Sequence, residues 1–129
     1  MKVVLDTNVY SALMRGHMGV AERVRQAEQV LFSAIVVGEL LFGFRAGTRY
    51  ERNLKELESF LSHPLVEFLQ VSKITADRFG RIAASLRKKG KPIPTNDIWI
   101  AAHAMEYGAD MFSFDEHFEA IDGLALVRP

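Results

Sequence analysis

The chain contains no cysteine among its 129 residues, which excludes disulfides, thiolate zinc sites and thiol nucleophiles and makes a reducing compartment the expected setting. Excess charge is absent too, because sixteen basic residues balance sixteen acidic ones. Net charge therefore neither demands nor forbids a nucleic-acid partner, and local clusters decide the matter. No apolar run approaches the length of a membrane span. The opening Met1-Lys2-Val3-Val4-Leu5-Asp6 meets a charge too early for a signal peptide, so a cytoplasmic protein without membrane contact is expected. Also missing are HExxH, GxSxG, the phosphate-binding GxxxxGK(S/T) loop and GxGxxG, which leaves zinc-protease, serine-hydrolase and nucleotide-cofactor chemistry without support.

Core-forming residues are plentiful. With 49% hydrophobic residues and nine phenylalanines, residues 1–129 suit one domain with a full core. Lys2 to Leu5 reads as a strand ending in Asp6-Thr7-Asn8, residues able to cap a helix that runs to Gly16. Val20 to Glu28 is helical in pattern, Val30 to Ser33 reads as a buried strand, and Ala34 to Phe44 continues as an apolar helix that looks buried on most sides. Arg49 to Leu61 is an amphipathic helix stopped by His63-Pro64. Val66 to Val71 forms a third strand. Thr75 to Lys89 is a long helix closed by Gly90, and Thr95-Asn96-Asp97 opens another that ends at Gly108. Asp110 to Ser113 and Leu124 to Val127 complete the strands. Strands alternating with helices, without hairpin signals, predict a three-layer α/β/α sandwich with a mainly parallel central sheet.

In such a sheet, ligands bind beyond the carboxyl ends of the strands. Acids recur there: Asp6 follows the first strand, Asp97 opens a helix, and Asp115 follows the Met111-Phe112-Ser113 strand. Each taken singly also fits helix capping, where a carboxylate accepts backbone N–H bonds and favours the helix dipole. Glu39 is different, because Ala34 to Phe44 holds no other charge. A buried carboxylate there needs a basic partner, a narrow exposed face or a bound cation. Carboxylates meeting at one sheet edge would repel one another, and hard divalent cations with oxygen ligands relieve that repulsion; Mg²⁺ or Mn²⁺ suits an all-oxygen site. His17, His63, His103 and His117 show no zinc spacing and read mostly as surface or helix-packing residues. Two basic clusters, Arg45/Arg49/Arg52 and Arg87/Lys88/Lys89/Lys91, fit either solvated helix faces or phosphate contacts.

The same positions resemble the PIN-domain family, and within it the VapC-type toxins of toxin–antitoxin pairs. The resemblance covers almost the whole chain and rests on four pieces. They are Val4-Leu5-Asp6-Thr7-Asn8-Val9, Glu39 within Val36 to Gly43, Ile93-Pro94-Thr95-Asn96-Asp97-Ile98 with the alanine-rich helix after it, and Phe112-Ser113-Phe114-Asp115-Glu116-His117-Phe118. Ser113 stands where many relatives carry threonine, which keeps the hydroxyl. The fourth acid is the least constant part of such sites.

This resemblance implies an endoribonuclease that hydrolyses RNA with one or two Mg²⁺ or Mn²⁺ ions held by Asp6, Glu39, Asp97 and Asp115. Asn8 and Ser113 would orient ligands or water beside these acids, while Thr7 and Asn96 could equally be helix caps. A homodimer and a cognate VapB-type antitoxin are further implications. The alternative within the fold is a module that binds RNA or protein without cutting, and retention of all four acids argues against it. A phosphorylated receiver-like domain would need an acidic pair after the first strand and a lysine after the last, and neither is present. Asn8 likewise breaks the Asp-x-Asp pattern of aspartyl phosphatases.

Overall fold

The computed structural model describes residues 1–129. Five strands form one sheet: β1 (Lys2–Leu5), β2 (Gln29–Ser33), β3 (Val66–Leu69), β4 (Asp110–Phe112) and β5 (Leu126–Val127). Their order is β3-β2-β1-β4-β5 and every pair is parallel. Central strands of a parallel sheet are covered on both faces, so they are written as apolar runs rather than alternating ones. Accordingly Val3, Val4 and Leu5 of β1, Leu31 and Phe32 of β2, and Met111 and Phe112 of β4 are all buried. Each large side chain among them contributes roughly 1.5–3 kcal/mol by leaving water.

The helices are α1 (Thr7–Met14), α2 (Met18–Gln26), α3 (Ala34–Ala46), α4 (Tyr50–Leu61), α5 (Lys73–Lys89) and α6 (Thr95–Glu106). Right-handed crossovers place α1 to α4 on one face of the sheet and α5 and α6 on the other. Packing agrees with that arrangement: α1 contacts α2 and α3, α3 contacts α4, and α5 lies along α6. An aromatic cluster of Tyr10, Phe32 and Phe60 joins α1, β2 and α4, with ring centroids 5.1–5.3 Å apart. No helix is long and apolar enough to cross a membrane.

Several expectations change in detail. β3 stops at Leu69 instead of Val71, because the Gln70 carbonyl accepts a hydrogen bond from His103 Nε2 at 3.0 Å and leaves the ladder. β5 shrinks to two residues, since β4 offers it only Met111 and Phe112 as partners. α2 starts at Met18, where His17 Nδ1 accepts from the Val20 N–H at 3.1 Å as an N-cap. α3 is not buried on most sides. Only Val36 and Leu40 are fully covered, and Phe42 is 79% exposed. The residues after Asp115 form a 3-10 turn, Glu116–Ala120, that the apolar pattern did not announce. Gly90 closes α5 in the left-handed region at φ 68°, as its position after the last apolar turn predicts.

Candidate metal centre

The chain runs from β1 outward through β2 to β3, then crosses back to β4 on the other side of β1. That reversal leaves a crevice at the carboxyl ends of β1 and β4, where open α/β sheets bind ligands. Parallel register does the first placement. Leu5 is paired with Phe112, so the next residues, Asp6 and Ser113, emerge side by side. The Ser113 hydroxyl donates to Asp6 Oδ2 at 2.7 Å and accepts from the Asp115 N–H at 2.9 Å. One fully buried hydroxyl thus fixes two of the four acids.

Asp6 also caps α1, its Oδ1 accepting from the Thr7 N–H at 2.8 Å. Glu39 arrives from the far side of the crevice. Ser33 ends β2 and caps α3 by accepting from the Ile35 N–H at 3.0 Å. Helical side chains lean toward the amino end of their helix, which turns Glu39 back over the strand ends. There Glu39 Oε1 accepts from the Thr7 hydroxyl at 2.6 Å and Oε2 from Asn96 Nδ2 at 3.4 Å. Glu39 has no basic partner. It is half-buried and borders an open cleft of about 660 Å³ lined by Thr7, Ile35, Gly38, Phe42 and Asn96 among others.

Asp97 lies in the first turn of α6 but caps nothing, because Pro94 holds the cap position and no side chain bonds the helix N–H groups. Asp115 does cap, accepting from the His117 N–H at 3.1 Å. The 3-10 turn then brings the His117 ring back onto the acids. Its Nε2 lies 2.6 Å from Asp97 Oδ2 and 3.0 Å from Asp115 Oδ2. These are ion-pair separations without hydrogen-bond geometry, since the buried Nε2 has no hydrogen-bond partner. Reading His117 as a surface or packing residue is therefore corrected: it reaches into the centre.

Ligand atoms of Asp97, Asp115 and His117 all lie within 4.8 Å of one another. Asp6 and Glu39 stand outside that triangle but close enough for their charges to register. The Asp97 carboxyl is pushed up to about 6, first by burial and then by the charge of Asp6, with Glu39 adding to it and His117 opposing. Asp6 is raised by burial above all; the Ser113 and Thr7 hydrogen bonds pull it down, and Glu39 and Asp115 push it further up. Carboxyls raised by burial and, to a lesser degree, by one another's charge are short of positive charge. Oxygen donors with one imidazole at that spacing could hold a divalent cation.

A family model for the PIN domain matches residues 3–124. The chain belongs to the PIN-domain family. Among PIN domains it is 38% identical over 115 residues to "Ribonuclease VapC2" of Haemophilus influenzae, a match covering 88% of this chain and 86% of the relative. It is 29% identical over 127 residues to the "tRNA(fMet)-specific endonuclease VapC" of Shigella flexneri, covering 96% and 95%. The solved VapBC-1 structure from nontypeable Haemophilus influenzae superposes with a TM-score of 0.88 at 30% identity over 99% of this chain and 98% of that one. The PIN fold and its VapC-like form agree with the resemblance carried by the four acidic pieces.

The sequence alone did not single out Thr7 and Asn96 as the residues that hold Glu39; they read equally as caps. Their only signal was adjacency to Asp6 and Asp97. Asn8 sits on the exposed side of α1 and makes no hydrogen bond to any of the four acids, whereas Thr7 bonds Glu39 directly.

Proposed function

We propose that this PIN domain is a metal-dependent endoribonuclease and the toxin of a VapBC-type toxin–antitoxin pair. The observation that carries the reading is the convergence of Asp6, Glu39, Asp97 and Asp115 at the β1/β4 crevice, where burial first, and then the charges of Asp6 and Glu39, push Asp97 up to about 6. Asp6, Glu39, Asp97 and Asp115 would hold the ion. Bound Mg²⁺ or Mn²⁺ supplies a water of lowered pKa and cancels phosphate charge.

The chain's own residues do the rest. Ser113 keeps Asp6 ionisable by donating to Oδ2, and Thr7 and Asn96 aim the two Glu39 oxygens. No side chain serves as nucleophile. The oxygen of water bonds to phosphorus while the bond to the 3′ oxygen breaks, which leaves a 5′-phosphate and a 3′-hydroxyl. Phosphates flanking the scissile bond need cations. Ser72 and Thr75 at the start of α5 bond Glu106 at the end of α6, so the two helices run antiparallel and the far end of α5 lies toward the start of α6 and Asp97. Arg87, Lys88 and Lys91 there are exposed and make no ion pair, whereas Lys89 is held by Asp122 at 2.6 Å. The first three are the phosphate contacts.

A VapB-type antitoxin, a homodimer and a cytoplasmic location belong to the same reading. The antitoxin is supported by the likeness to the VapBC-1 structure. The test is cleavage of a structured RNA by the purified chain in Mg²⁺ or Mn²⁺, with and without chelator, followed by sequencing of the ends. Asp6→Asn and Asp97→Asn should each slow cleavage more than roughly a hundredfold, judged against the effect of outer-shell ligands alone. RNA binding without cleavage in either ion would leave a non-catalytic module in its place.

A further inference from the structure

His117 brings a nitrogen donor into a centre otherwise made of carboxylates. Its ring is held, not loose: the backbone N–H donates to Asp115 Oδ1 at 3.1 Å, and the imidazole packs edge-on against Phe118 with centroids 5.3 Å apart. Nε2 is shielded from solvent and lacks a hydrogen-bond partner, yet two carboxylate oxygens lie at 2.6 and 3.0 Å. Neighbouring donors around an octahedral ion with bonds of about 2.1 Å stand about 3 Å apart. That is the spacing found.

We propose that His117 Nε2 is a direct ligand of the divalent ion, together with Asp97 and Asp115, so that the centre is a mixed oxygen–nitrogen site. The inference rests on the carboxylate-held cation proposed above and adds a ligand type to it. Imidazole suits first-row transition ions, whereas Mg²⁺ keeps to oxygen. His117 therefore biases the centre toward Mn²⁺ over Mg²⁺. The competing role is that of an internal counter-ion, an imidazolium that an arriving metal displaces. The 2.6 and 3.0 Å separations suit that role as well, and spectra of the metal-loaded chain separate the two.

Pulsed EPR on the purified chain loaded with Mn²⁺ tests the assignment, because an imidazole nitrogen bound to Mn²⁺ gives a ¹⁴N modulation that a displaced or merely packing histidine does not. The modulation should be present in the wild type and absent from His117→Gln and His117→Asn. By calorimetric titration, Mn²⁺ affinity should fall about tenfold or more in either variant, and Mg²⁺ affinity by less than about threefold. Asp97→Asn serves as the second arm. If it loses Mn²⁺ while the wild type shows no ¹⁴N coupling, or while His117 variants bind as the wild type does, the histidine ligand is overturned and the carboxylate centre stands. Equal Mn²⁺ binding by wild type and Asp97→Asn would overturn the centre itself.

Discussion

Asp97 has a pKa of about 6 in the fold against 3.8 for the free side chain, so the native chain binds its proton more tightly than the unfolded chain does. Below pH 3.8 both states are protonated and the group is neutral in its effect. As pH rises from there to about 6, stability falls, and above that window the full penalty is present, on the order of 3 kcal/mol. Metal-free Asp97→Asn should then be more stable than metal-free wild type at pH 7 by about 1–3 kcal/mol, with the advantage vanishing toward pH 4. Urea melts at the two pH values read this directly, and a less stable variant at pH 7 would mean that Asp97 is not under strain. Ser113 acts on the neighbouring acid. Ser113→Ala removes the only side-chain donor to Asp6, so metal affinity should drop by roughly tenfold or more, while Ser113→Thr, which keeps the hydroxyl, should bind nearly as the wild type does.

At the scale of elements, His103 ties three of them together. The Gln70 carbonyl can only accept, so Nε2 carries the proton, and Nδ1 accepts from the Ser33 hydroxyl at 2.9 Å. Ser33 in turn caps α3, the helix that bears Glu39. One fully buried imidazole on α6 therefore links the end of β3 to the start of α3. His103→Leu strands the Ser33 hydroxyl and the Gln70 carbonyl and should cost about 2–4 kcal/mol. His103→Gln can donate to one and accept from the other, and should cost less than half as much. Equilibrium unfolding distinguishes the two, and equal losses would show that volume, not bonding, governs the position.

For the molecule as a whole, four carboxylates at one crevice mean that folding without a cation brings like charges together. A divalent ion that binds only the folded chain stabilises it by about 2.7 kcal/mol at a hundredfold excess over Kd. For a domain of this length that raises Tm by roughly 10 °C. Mn²⁺ should produce that shift in the wild type and less than half of it in Asp97→Asn. Scanning calorimetry with chelated and Mn²⁺-loaded protein decides it, and equal shifts would place the ion elsewhere.

Element identity was legible in the chain because apolar period and capping residues are local properties. The uninterrupted runs at Val3 to Leu5 and Val30 to Phe32 are those of buried parallel strands, and Gly90 marks a helix end by a conformation that side chains resist. Asp6, Glu39, Asp97 and Asp115 were legible as candidates because each is an acid at a strand end or inside an apolar helix. What local pattern could not carry was which neighbour each side chain meets. Thr7 and Asn96 find Glu39, and His117 turns back onto Asp97 and Asp115, only because the strand order reverses between β1 and β4 and the 3-10 turn after Asp115 folds inward. Composition and spacing determined the elements and the kind of chemistry available; the crossover at the sheet's reversal point decided the contacts, since it alone brings together residues that lie up to about a hundred positions apart along the chain.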